Sequence, residues 1–145
     1  MKTIIIIIYI FFGIFSTFQN NQTLTGKWTL ICYKDISSGE RTNRPSSYSP
    51  KQLTFEFLDN GKDGTIKGRT TVNDVTGKYK INKNRISVDR FGGTKIGEHG
   101  WGSVFWSTIS NSSSFEFRKD TLIILYDNDS KEMLFLPYNE GNIKN

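Results

Sequence analysis

Apolar and polar residues alternate along much of this chain with a period of two, and the alternation is cleanest between Thr65 and Val88. Turn-forming Asn, Asp and Gly interrupt that stretch twice, so it predicts three antiparallel strands in a meander. Successive side chains of a strand point to opposite faces. The pattern therefore assigns Ile66, Val72, Tyr79, Ile81, Ile86 and Val88 to an inner face, and Lys67, Arg69, Lys78, Lys80 and Arg85 to an outer one. The same period predicts a strand from Gly26 to Lys34. Another runs from Gln52 to Leu58, with Leu53, Phe55 and Phe57 on one side and an Asn60-Gly61 turn after it. Three further segments, Ser114 to Lys119, Thr121 to Asp127 and Glu132 to Pro137, read as strands joined by tight hairpins.

The breaks in the pattern are as informative as the pattern. Asp35 to Pro50 is polar and carries Pro45 and Pro50, which predicts a long loop. Gly92 to Gly102 is irregular, and its glycines match no phosphate-binding spacing, so it reads as a flexible crossing. Trp101, Val104, Phe105, Thr108 and Ile109 fall roughly at helical spacing, making Ser103 to Ile109 the helix candidate with Ser103 as its cap. Valine, threonine and aromatic residues also form strands, so this stretch fits both periods. The fold class is mostly β: a small antiparallel β-barrel or strongly curved meander sheet of about eight strands, with one short helix before the last strands.

The N-terminus obeys a different rule. Lys2 precedes an almost continuous apolar run, Ile4 to Phe15, that fades into polar residues by Asn20. A cationic start, an apolar stretch of this length and a polar exit describe a secretory signal peptide. The run is shorter than the roughly 20 residues a bilayer-spanning helix needs. No Ala-x-Ala cleavage pattern follows, so an uncleaved tether is the alternative. Residues 1–20 are thus expected to be a signal peptide, 24–138 one β domain and 139–145 a disordered tail. The destination is periplasmic, envelope-associated or secreted.

Composition narrows the chemistry. Without Lys2 the domain holds 18 basic against 14 acidic residues, a net charge of about +4. That excess, in an exported chain with no nucleic-acid-reading motif, excludes nucleic acid as the expected partner. Cys32 is the only cysteine, so no intramolecular disulfide forms. Alternation places it beside Trp28 and Leu30 as a small core residue. His99 is the only histidine, and one His with one Cys is neither a metal-ligand set nor a spaced nucleophile pair. No cofactor is expected. The Asn-x-Ser/Thr sites at Asn21, Asn111 and Asn128 are about the number that composition alone produces.

Several residues carry a resemblance to a known family. The chain opens with Leu24-x-Gly26-x-Trp28, an opening it shares with lipocalins. It continues through Phe57 and Gly68, then Val72-Asn73 followed by Gly77-x-Tyr79. Thr94-Lys95, a short helix candidate and a closing Asp120-x-Leu122-x-Ile124 strand complete the match. In this order the chain resembles META domains, the heat-shock HslJ-like family of small exported or membrane-anchored β proteins. The resemblance covers about Leu24 to Pro137. It implies structural roles for Gly26, Trp28, Asn73, Gly77, Tyr79 and Thr94, and no catalytic site. Many relatives carry one Cys before the Asn and another shortly after the Thr-Lys pair. Here Val72 and about Glu98 stand in those places, which implies that a covalent staple has been replaced.

Residue chemistry alone gives Asn73 a turn role, through positive φ or a side-chain cap, and Gly77 a role in close packing before Tyr79. Between Asp59 and Lys95 lie nine basic residues, Lys62, Lys67, Arg69, Lys78, Lys80, Lys83, Arg85, Arg90 and Lys95, against the acids Asp59, Asp63, Asp74 and Asp89. If these share an outer face, an anionic membrane surface, an acidic glycan or an acidic protein is the matching partner. The bland reading is that the charges merely keep the sheet soluble. A second class of function is a lipocalin-like carrier, with Phe55, Phe57, Tyr79, Trp101, Phe105, Trp106 and Phe115 lining a cavity for an apolar ligand. A third is an enzyme using a carboxylate pair such as Asp74 and Glu98, which nothing in the spacing marks. The expected function is non-catalytic: binding, or envelope maintenance related to stress.

Overall fold

The computed structural model describes residues 22–139. The expected signal peptide, residues 1–20, and all of the expected tail except Asn139 lie outside the described residues. Within them are nine strands and one helix: β1 (Gly26–Asp35), β2 (Arg41–Asn43), β3 (Thr54–Asp59), β4 (Asp63–Arg69), β5 (Asp74–Asn82), β6 (Arg85–Gly93), α1 (Gly100–Ile109), β7 (Ser112–Arg118), β8 (Thr121–Tyr126) and β9 (Lys131–Pro137). The pairings are antiparallel in the order β2-β1-β3-β4-β5-β6-β7-β8-β9, and β9 pairs back with β1. The sheet curls into a ring of predominantly β structure. The strand beyond the expected eight is β2, three exposed residues inside what alternation reads as loop.

The ring is unevenly sewn. β1 and β9 pair from Trp28 opposite Pro137 to Asp35 opposite Lys131. β6 and β7 share the single pair Arg85 and Ser114, with Phe115 N–H donating to the Asn84 carbonyl at 2.8 Å. The helix packs beside that seam: Phe91 of β6 meets Phe105 at 5.7 Å and Trp106 at 5.3 Å between ring centroids. Trp101, Phe105, Thr108 and Ile109 are buried as helical spacing predicts. Two details of that prediction fail. The helix begins at Gly100 after His99, and Ser103 is exposed within it rather than capping it. Val104 also faces solvent.

β5 shows the predicted alternation without a fault: Val75, Gly77, Tyr79 and Ile81 are buried and the residues between them exposed. Val72, expected inside, is exposed instead. Thr70 to Asn73 form the turn, with Thr70 N–H donating to the Asn73 carbonyl at 2.9 Å, so the strand starts only at Asp74 and Val75 takes the inward place.

Cys32 is buried, but not beside Leu30. Leu30 pairs with Phe135 and Cys32 with Leu134, so Ile31 is an extra residue in β1. A bulge of this kind sends the residues on either side of it to different faces. Trp28, Leu30 and Tyr33 belong to the main core, whereas Cys32 joins Ile123 and Leu134 in a second cluster flanked by Ile31 and Leu125. That cluster lies on the outer side of the ring.

The main core is aromatic. Phe55 stacks on Phe105 at 4.0 Å, while Phe135 sits edge-on to both Phe55 and Phe57 at 6.4 and 6.3 Å. Such contacts add about 0.5–1.5 kcal/mol each beyond area burial. Phe55 is fully buried, and its truncation leaves a void that the ring cannot collapse to fill. Phe55→Ala is expected to cost about 3–5 kcal/mol in urea denaturation. A loss below about 1 kcal/mol would mean that the centre is not the packed core described here.

Candidate functional site

Two polar clusters tie down the ends of the ring. At the end where β1 begins, Asp59 accepts hydrogen bonds from Leu24 N–H at 2.9 Å and Tyr79 hydroxyl at 2.7 Å through one oxygen. Gly61 N–H donates to the other at 2.8 Å. Burial opposes the charge on Asp59, but these donors outweigh it and hold its pKa below the ordinary value. Tyr79 fits because it pairs with Gly64, where a Cβ would fall on the phenol ring. Trp28 Nε1–H turns back to the Leu24 carbonyl at 2.9 Å, across the space that Gly26 leaves free. Gly77 likewise lies against Phe91 and the Arg90 carbonyl, where a Cβ would meet both.

At the opposite end Asn73 is the hub. Only 1% exposed, it donates through Nδ2 to the Ile96 carbonyl at 2.9 Å and to Glu98 at 2.7 Å. Its Oδ1 accepts from the Thr94 hydroxyl at 2.8 Å and from Ile96 N–H at 2.9 Å. The Glu98 carboxylate also accepts from the hydroxyls of Thr70 and Thr71. Burial raises its pKa, yet the donors from Thr70, Thr71, Asn73 and Val72 N–H hold it below the usual glutamate value. Asn73 does not adopt positive φ, and its own turn is closed by Thr70, whose hydroxyl accepts from Asn73 N–H at 3.2 Å. The expected local role is therefore corrected to a long-range one: Asn73 joins the turn to the segment leading into α1. Those are the two segments where the resemblance implies paired cysteines, and Glu98 ties them without a covalent bond.

The five basic residues assigned to the outer face, Lys67, Arg69, Lys78, Lys80 and Arg85, are all exposed. Three are ion-paired: Arg69 with Asp74 at 3.3 Å, Lys80 with Asp89 at 3.5 Å and Arg85 with Asp129 at 3.0 Å. Lys67 and Lys78 have no carboxylate within 4.0 Å among the described residues. Lys78 stands opposite Arg90, a residue brought to the outer face by a bulge at Asp89 that alternation does not reveal. Lys62, Lys80 and Arg85 line an open groove of about 720 Å³ that also holds Ser112, whose hydroxyl is buried without a partner.

The other candidates separate. Of the seven aromatics weighed as cavity lining, Phe55, Phe57, Tyr79, Trp101, Phe105 and Phe115 are buried in one cluster and Trp106 is half-buried at its edge. Cys32 lies in the outer cluster, its thiol donating to the Tyr33 carbonyl at 3.2 Å, while His99 is exposed before α1. Asp74 is taken up by Arg69 and Glu98 by the Asn73 hub, so this carboxylate pair is engaged in structure. Among the described residues no three His, Cys, Asp or Glu side chains converge as a metal site would require.

A ring of antiparallel strands with one short helix and a buried Asn joining a turn to the pre-helical segment defines a class of small β domain. The META domain family model matches residues 22–140, and the chain belongs to that family. No curated protein matches it. Among solved structures it is similar to a Burkholderia xenovorans protein solved by NMR, at 18% identity and a TM-score of 0.54. That match covers 77% of this chain and 81% of the other. It is also similar to a DUF4847 family protein from Bacteroides vulgatus, at 11% identity and a TM-score of 0.57 over 81% of this chain and 95% of that one. At these identities the two neighbours bear on the fold alone.

Because the folded-state pKa of Glu98 is depressed, its contribution is present above the unfolded value near 4.5 and is lost as pH falls through the lower folded value. Glu98→Gln is expected to lower stability by about 1.5–3 kcal/mol at pH 7, the range for hydrogen bonds to a charged group. Urea titrations of both proteins should show the gap narrowing as pH falls below about 4. A gap independent of pH would assign Glu98 no charge-dependent role.

Proposed function

We propose that this chain is an exported, non-catalytic META domain that works from its outer surface, its basic β4–β6 face meeting an anionic partner. Phospholipid headgroups, an acidic glycan and an acidic protein share the required chemistry. The filled interior carries this reading: the inward aromatics pack on one another, so the domain's contacts with other molecules fall on the outside. The signal-like segment, Lys2 followed by Ile4 to Phe15, supports export. Envelope maintenance related to stress is the setting that the resemblance to HslJ-like proteins implies, and it is part of this proposal.

The outer face of β4, β5 and β6 presents six basic residues, Lys67, Arg69, Lys78, Lys80, Arg85 and Arg90, against Asp63, Asp74 and Asp89. Like charges directly opposite across a ladder destabilise it, and Lys78 with Arg90 is such a pair. An anion bound between them relieves that repulsion. Near an anionic surface each basic side chain contributes about 1 kcal/mol.

Cosedimentation with anionic and zwitterionic vesicles tests the lipid form, retention on an acidic glycan column the glycan form, and retention on an immobilised acidic protein the third. Lys67→Glu combined with Lys78→Glu is expected to weaken anion binding at least about tenfold while leaving thermal stability within about 0.5 kcal/mol. Binding should also fall as salt rises and the Debye length shrinks to about 8 Å near physiological strength. Salt-independent binding, or an unaffected double variant, would reject the electrostatic face.

A further inference from the structure

On the side of the ring formed by β1 and β9 lies a groove of about 610 Å³ that combines an apolar wall with a cation. Ile31, Leu136 and Pro137 form the wall, and Arg44, Tyr138 and Asp120 lie in the lining with Thr29 and Asn139. Ile31 follows the inward Leu30 and so faces outward, and the bulge turns Cys32 to the same side. The extra residue belongs to the outer cluster over Cys32, Ile123 and Leu134, and its carbonyl accepts Arg44 N–H at 2.9 Å. Leu136 is 40% exposed, an apolar side chain left uncovered beside that cluster.

Arg44 is held in place but not neutralised. Its Nη2 donates to the Ser49 carbonyl at 2.7 Å and, more weakly, to those of Tyr48 and Gln52 at 3.3 and 3.4 Å. Its Nε is buried without a partner. Among the described residues no carboxylate lies within 4.0 Å of the guanidinium, Asp120 included. Burial makes its charged form costlier and lowers its pKa, so a counter-charge is favoured here more than at an open surface. Tyr138 is equally fixed: its N–H donates to the Lys27 carbonyl at 2.8 Å, and Lys27 Nζ sits 4.2 Å from its ring centroid.

We propose that this groove binds an amphiphilic carboxylate, with the anionic head at Arg44 and an aliphatic body along Ile31, Leu136 and Pro137. A contact between a guanidinium and a carboxylate is charge-assisted and so stronger than one between neutral groups. Asp120 in the lining disfavours a doubly charged phosphate head and tolerates a single charge. The volume falls within the range of small-molecule sites, which are mostly apolar with a few placed polar groups. The shared chemistry has two sources, a free fatty acid and the apolar C-terminus of a peptide. Tyr138 also lines a pocket with Lys27, Lys51 and Arg69, so the groove borders the basic face through that residue, while Arg44 and Leu136 take no part in it.

The test is a titration of the protein with decanoate, decanol, decylammonium and a short Leu-rich peptide as free acid and as amide, followed by amide NMR shifts. Decanoate or the peptide acid should bind below about 1 mM and at least about tenfold tighter than the matching alcohol or amide. The shifts should concentrate at Ile31, Leu136 and Tyr138. Preference between decanoate and the peptide acid identifies the source. Arg44→Gln should remove the preference for the carboxylate. Because Arg44 also holds the Tyr48 to Gln52 loop, Leu136→Asp is the second variant, expected to abolish binding with the fold intact and vesicle binding unchanged. No acid binding near 1 mM, equal affinity for decanol, or shifts centred on Phe55 and Phe105 would each overturn the site.

Discussion

Closure of the sheet through β1 and β9 is the constraint on which the rest of this molecule depends. β1 meets β9 along one edge and β3 and then β2 along the other, so it is the seam of the ring rather than a terminal strand. Without that pairing β1 and β9 would each present a row of unpaired backbone groups. With it, the inner face becomes a fixed volume, and the inward side chains must fill it at the density of a crystal. The aromatic stack of Phe55, Phe105, Phe57 and Phe135 is how this sequence does so. The seam that remains thin, between β6 and β7, is where α1 supplies Phe105 and Trp106 against Phe91 in place of strand pairing.

A closed ring still has two ends, and each is held by a carboxylate that satisfies otherwise orphaned donors. Asp59 gathers Leu24 N–H and the Tyr79 hydroxyl at one end, and Glu98 gathers Thr70, Thr71 and Asn73 at the other. Both carboxyls are shifted toward the ionised form despite burial, which shows that hydrogen bonding wins over desolvation at each. The second cluster also fixes where α1 begins, because Thr71 and the helix start share the Glu98 side chain's surroundings. A disulfide between the same segments would act mainly on the unfolded chain. Glu98 acts on the folded one and responds to acid, so the two ties differ in mechanism as well as in bond.

Period-two alternation made most of this legible. It marked β3, β5 and the closing hairpins, the inward Phe55, Phe57, Tyr79 and Ile81, and the exposed cations of β4 and β5. It failed where the period breaks. A bulge adds one residue and inverts every later assignment, and nothing in the run Leu30-Ile31-Cys32 signals one, because all three side chains are apolar. The bulge at Asp89 hid Arg90 in the same way. Val72 was placed inside because a β-branched residue beside a strand fits its pattern, whereas the Thr70-Asn73 turn had already ended β4. The polar hub was out of reach because Asn73 and Glu98 lie 25 residues apart, and a partner at that separation is a matter of tertiary folding rather than of local spacing.

The bulge at Ile31 does more than explain a misplaced cysteine. A ring of alternating strands ordinarily turns one apolar face inward and one polar face outward. By shifting β1 out of phase against β9, the extra residue places Cys32 on the outside beside Ile31, where Ile123 and Leu134 already present apolar side chains. Burial of that outer cluster then depends on its half-buried neighbours Ile31 and Leu125. An ordinary strand in this place would turn Cys32 inward and leave Ile31, Ile123 and Leu134 without it. The inserted residue instead adds Cys32 to that outer apolar surface, which lies near Arg44, a cation that no carboxylate among the described residues pairs.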